Sequence, residues 1–141
     1  MLKVKNIYDL KTNFSFEAPV FSASIPKRKS ANDTDSIGSL DLNSYLAPKP
    51  DTCFLVKVNG TSMIDERIYS GDILVVDSKE APSDGKIVIA ALNGEMAVKK
   101  FRIIDDHIYL ISANKEFMPI EIGPYMQFEI QGVVKHVIHN V

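Results

Sequence analysis

Cys53-Phe54-Leu55-Val56-Lys57-Val58-Asn59-Gly60-Thr61-Ser62-Met63-Ile64-Asp65 begins as an apolar, β-branched and aromatic run and stops at Asn-Gly. The run reads as a strand, and Asn59-Gly60 as the turn that ends it, because both residues tolerate positive φ. Met63 to Arg67 then has room for one short helical turn. A serine at such a junction has backbone N–H groups around it that are suited to holding an oxyanion. Ser62, with an exposed hydroxyl, is therefore the candidate nucleophile, and the backbone amides of Ser62 and Met63 are the candidate oxyanion donors. The plain alternative is a turn or helix-capping serine.

Outward from this stretch the same pattern repeats. Segments 52–58, 73–77, 86–92, 95–104, 107–112, 119–122 and 128–138 read as strands. Ser70-Gly71-Asp72, Ser83-Asp84-Gly85, Asn93-Gly94, Asp105-Asp106 and Gly123-Pro124 punctuate them as turns. The fold class is all-β, a small and strongly bent antiparallel assembly, with no internal repeats.

A serine hydroxyl needs a neighbouring base. In Gly94-Glu95-Met96-Ala97-Val98-Lys99-Lys100-Phe101, the outgoing strand of the Asn93-Gly94 hairpin, alternation puts Lys99 on one face with Ala97, Phe101 and Ile103. Lys100 faces the other way, between Val98 and Arg102. Apolar surroundings solvate an ammonium poorly and favour the neutral amine, so Lys99 suits a general base better than Lys100. A lysine that snorkels to solvent from an edge strand is the alternative.

Other constellations fare worse. His107, His136 and His139, with Asp65, Asp72 and Asp77, supply the parts of a Ser-His-Asp hydrolase, but Ile64 stands where the G-x-S-x-G elbow needs glycine and no βα repetition is present. His136 and His139 point to opposite faces of a strand, which makes them poor joint ligands; no metal and no cofactor is expected. Asp72 and Asp77 read as turn and strand-end residues. Asp65 and Glu66 receive no catalytic role, since a carboxylate beside Lys99 would keep it protonated.

At 141 residues and 45% hydrophobic content the chain has room for one core, and a net charge of −2 carries no general nucleic-acid footprint. The single cysteine, Cys53, is expected to be a small buried hydrophobe inside its strand, and no disulfide framework exists. No signal core or membrane-spanning run is evident, so a cytoplasmic location is expected. The expected division is 1–50, an arm and linker, and 51–141, the β domain. Residues 1–24 show only loose alternation and no amphipathic helices of the kind a helix-turn-helix module needs. Pro26 to Ser39 is polar and reads as a mobile linker, its Lys27-Arg28-Lys29 simply solvated, and Leu40 to Ala47 as a short helix closed by Pro48 and Pro50.

Gly60-Thr61-Ser62-Met63, then Ser70-Gly71-Asp72-Ile73-Leu74-Val75-Val76-Asp77, then Gly85-Lys86-Ile87-Val88-Ile89-Ala90, then Gly94-Glu95-Met96-Ala97-Val98-Lys99-Lys100 closely resemble the LexA/UmuD family of self-cleaving proteins. The resemblance runs in order from about Cys53 to Val137 and leans toward the UmuD branch, subunits of an SOS-induced translesion DNA polymerase. It implies a β-clip-like catalytic domain, a Ser-Lys dyad formed by Ser62 and Lys99, and the chain's own arm as substrate. The implied bond is Ala23-Ser24, within Phe21-Ser22-Ala23-Ser24-Ile25-Pro26, with Ser24 where the family usually has glycine. Implied partners are a second copy of the chain in a homodimer, the RecA filament as coprotease and a UmuC-like Y-family DNA polymerase. Neither a membrane nor sequence-specific DNA is expected as a partner. A non-cleaving dimeric interaction module and a headless phage-type repressor of the same fold are the competing functions.

Overall fold

The computed structural model describes residues 3–9, 17–20 and 38–141. In chain order these form β1 (Lys3–Asp9), β2 (Glu17–Val20), β3 (Gly38–Asp41), α1 (Leu42–Leu46), β4 (Cys53–Asn59), β5 (Ile73–Asp77), β6 (Ile87–Leu92), β7 (Glu95–Ile104), β8 (His107–Ile111), β9 (Ile120–Glu121) and β10 (Phe128–Ile138). The protein is nearly all β, and β4 to β10 fall where alternation and turn residues put them. The chain divides into two compact units, Met1–Leu10 with Asp51–Val141, and Lys11–Pro50.

In the second unit, β2 and β3 pair antiparallel, from Glu17 opposite Asp41 to Val20 opposite Gly38. The Asp41 carboxylate caps α1 by accepting from the Asn43 amide at 3.0 Å and the Ser44 hydroxyl at 3.1 Å. Gly38 and Ser39, expected in the linker, thus belong to a strand. Ala23, Ser24 and Lys27 to Lys29 lie outside the described residues.

In the first unit the strands run β1-β4-β5-β10-β6-β7-β8-β9, and Lys3 of β1 also pairs with Ala97 of β7. That contact closes β1, β4, β5, β10, β6 and β7 into a barrel, so residues 3–9, expected in an arm, are one of its staves. β7 and β10 are the long strands that permit closure, each serving different neighbours along its length. β10 pairs with β6 from Phe128 to Val133 and with β5 from Val133 to Ile138. At the changeover Gly132 packs on β5 so closely that a Cβ there would sit 2.5 Å from Val76 Cγ1 and 2.8 Å from the Asp77 carbonyl oxygen. Only glycine fits.

Alternation gives the shared strands two buried faces. Inside the barrel Val56, Val58, Leu74, Val76, Ile89 and Val98 pack with Met63 and Ile68. On the other face of β6 and β7, Val88, Ala90 and Phe101 pack with Leu110 and Val133, flanked by Ile108, Phe128 and Ile130. Each fully buried Val, Leu, Ile, Met or Phe side chain among them contributes roughly 1.5–3 kcal/mol by leaving water. Most of the apolar residues of β10 are thereby used within the chain, and Val137 and Ile138 remain exposed. Cys53, expected buried, is partly exposed at the start of β4, opposite Asp77. Burial, then the Asp77 charge, raises its thiol pKa. No helix among the described residues is long and apolar enough to cross a membrane.

Candidate functional site

β4 ends at Asn59, and Gly60 takes φ 122°, a left-handed value that suits glycine. The chain then makes the short turn expected after Ser62, a 3-10 segment Ile64–Glu66. Arg67 ends it with φ 60° and donates its amide to the Ile64 carbonyl. Met63 anchors the turn by burying its side chain in the barrel core.

A second segment, immediately after β8, grips this loop from the other side. The Asp65 amide donates to the Ala113 carbonyl at 2.7 Å, the Ala113 amide to Met63 Sδ at 3.4 Å, and Asn114 Nδ2 to the Thr61 carbonyl at 2.9 Å. The residues on both sides of Ser62 are therefore fixed to Ala113 and Asn114. Asn114 is itself set in place, its Oδ1 accepting from the Glu116 amide at 3.1 Å. Ser62, expected exposed, is fully buried at 0%.

Lys99 faces as alternation predicts. It lies opposite Val88 of β6, on the face shared with Ala97 and Phe101, and is 3% exposed. Its Nζ donates to Ser112 Oγ at 2.6 Å. Desolvation by burial lowers the Lys99 pKa from the ordinary lysine value. Lys100, on the opposite face, forms an ion pair at 2.7 Å with Glu66 of the serine turn.

Three consecutive residues thus link the two candidates. Ser112 holds Lys99, while Ala113 and Asn114 hold the Ser62 loop. Sequence reasoning missed all three, although the hairpin contained the signal. The β7–β8 register pairs Ile104 with His107 and Lys100 with Ile111 about the Asp105-Asp106 turn, so one further step puts Ser112 opposite Lys99.

The histidines go elsewhere. His139 Nδ1 lies 2.6 Å from Oδ1 of the buried Asp72, whose Oδ2 accepts from the Tyr69 amide at 2.9 Å. The His139 ring also meets Tyr69, with centroids 5.5 Å apart. His107 pairs with Glu121 on the surface at 2.9 Å, and His136 sits in β10 opposite Val75. Asp77 accepts from the Lys79 amide in the turn after β5. Asp72 and Asp77 have the turn and strand-end roles expected of them.

A bent all-β barrel carrying a serine on a tight turn and a buried, poorly solvated lysine fits the class of serine autoproteases. The family model described as Peptidase S24-like matches residues 19–135, and the chain belongs to that family. It is 42% identical over 98 residues to a LexA repressor of Dechloromonas aromatica, covering 69% of this chain and 48% of that protein. Against a LexA repressor of Stenotrophomonas maltophilia it is 39% identical over 89 residues, 63% of this chain and 41% of the relative. A LexA repressor of Actinobacillus succinogenes is 39% identical over 94 residues, 65% and 45% of the two chains. The chain spans less than half the length of these curated relatives. These relatives are named as repressors rather than as polymerase subunits, so they show the family and leave its UmuD branch unshown.

Proposed function

We propose that the chain is a self-cleaving serine peptidase in which Ser62 is the nucleophile and Lys99 the general base. The observation that carries this reading is the shared clasp. The segment that fixes the loop on both sides of Ser62 also supplies the hydroxyl that receives Lys99 Nζ. Neutral Lys99 takes the Ser62 proton as the serine oxygen adds to the scissile carbonyl. The oxyanion is held by the backbone amides of Ser62 and Met63. The amides of Ile64 to Ile68 are committed to carbonyls of the turn and of Ala113. The resulting ammonium returns its proton to the leaving amine, and water releases the acyl group from Ser62.

The substrate is the chain's own N-terminal segment, cut between Ala23 and Ser24. Small side chains on both sides of the bond suit a narrow cleft, and tethering keeps the bond at high effective concentration. Cleavage is stimulated by a RecA filament and converts a homodimer into its active form. We assign that form to a UmuD-like regulatory subunit of a Y-family polymerase. The repressor names of the relatives favour a second reading, in which the same cut inactivates a LexA-like repressor.

Intact-mass measurement of full-length protein incubated at alkaline pH, and with activated RecA, tests the cleavage. A fragment beginning at Ser24, absent from Ser62→Ala, is expected. An intact chain under both conditions would favour a non-cleaving interaction module, and a different new terminus would overturn only the assignment of the bond.

A further inference from the structure

The hydroxyl that receives Lys99 belongs to a residue with no part in the two-residue mechanism above. Ser112 is 6% exposed and lies one step beyond β8, where the hairpin register brings it opposite Lys99. Its Oγ stands 2.6 Å from Lys99 Nζ. A buried lysine side chain with several rotatable bonds needs something to fix the direction of its nitrogen lone pair. We infer that Ser112 is a positioning residue, accepting one N–H of Lys99 so that the lone pair is aimed at the Ser62 hydroxyl, and that the Ser112-Ala113-Asn114 segment keeps base and nucleophile in register. This rests on the Ser-Lys reading.

The hydrogen bond has a second consequence. An acceptor on Nζ favours the ammonium over the amine and so works against burial, the cause that lowers the Lys99 pKa. Among the described residues, none of the charged groups on the elements around Lys99 forms an ion pair with it. β6 carries none, and β8 carries His107 and Tyr109 on its other face, His107 paired with Glu121. The serine turn carries Asp65 and Glu66, the latter held by Lys100. β7 carries Glu95, Lys100 and Arg102, with Arg102 paired to Asp84, and β1 carries the exposed Lys3.

Ser112→Ala, Ser112→Val and Ser112→Thr separate the hydroxyl from the space it fills. Full-length self-cleavage without RecA should slow by about 10- to 100-fold in Ala and Val, the rate equivalent of one charge-assisted hydrogen bond. The rising limb of the pH–rate profile should move to lower pH in both, and Thr should restore rate and limb. In a Ser62→Ala background, where nothing is cut, NMR titration of Lys99 Nζ should show the same downward shift on Ser112→Val. A slowed rate with an unmoved limb, no rescue by Thr, or wild-type behaviour of Ala and Val would each overturn the positioning role. Failure of the underlying reading is distinguishable, because cleavage would then persist in Lys99→Ala.

Discussion

The two faces of β7 put adjacent lysines into opposite circumstances. Lys99 turns into the apolar layer formed with β6 and β8, where its Nζ donates to the Ser112 hydroxyl and, among the described residues, pairs with no carboxylate. Lys100 turns the other way and pairs with Glu66, each about one-third exposed. The covalent chemistry of the side chains is identical. Strand alternation leaves one as a destabilised cation ready to be an amine and the other as an ordinary structural ion pair. On the proposed mechanism, reactivity is a matter of which face a residue occupies, and a one-residue slip of β7 would exchange the two roles.

Substituting the lysines one at a time gives the largest expected effect. Lys99→Ala should reduce self-cleavage by at least about 10³-fold, as loss of an essential base does, while Lys100→Ala should leave the rate within about twofold. Comparable losses in both variants, read from band intensities over time, would erase the distinction between the faces.

The same contrast should appear in stability. A lysine whose native pKa is lowered carries a penalty that is complete below that native pKa, where native and unfolded chains are both protonated. The penalty closes as pH rises toward 10.5, because the native amine loses its proton first. Lys99→Met should therefore raise the melting temperature at neutral pH, with an advantage that shrinks as pH climbs through the native pKa. A pH-independent difference in thermal melts would mean that Lys99 is not held as a desolvated cation.

Smaller effects sharpen the picture. Asn114→Ala removes the donor to the Thr61 carbonyl and should lower the cleavage rate by about tenfold, with the Lys99 titration unchanged, since it loosens the serine loop and leaves the amine alone. Lys100→Ala should cost at most ~1 kcal/mol in denaturant melts, because a pair this exposed is well screened.

Most of this arrangement was legible in the sequence wherever period-two alternation ran undisturbed. The β7 pattern assigned Lys99 to its buried face, and Asn93-Gly94 and Asp105-Asp106 marked hairpins whose turn residues do take positive φ. β1 was not legible for a physical reason. Its register slips between Val4 and Asn6, so Val4 and Ile7 are out of phase and the alternation that would announce a strand is broken. The Ala113 part of the clasp escaped because it acts through its backbone, which no side-chain pattern reports, and the Asn114 bond because it reaches back to Thr61, far away in the chain. The Asp72–His139 contact joins residues far apart in the chain, beyond the reach of any local period.

The central proposal is that Ser62 is activated by a lysine whose pKa burial lowers, and the pH dependence of self-cleavage in wild type and Lys99→Ala tests it most directly. The account predicts a wild-type rate that rises with pH through a midpoint below the ordinary lysine value of 10.5, and a Lys99→Ala rate near zero throughout. A rate that levels off near pH 7, as histidine would give, and that survives Lys99→Ala would contradict it.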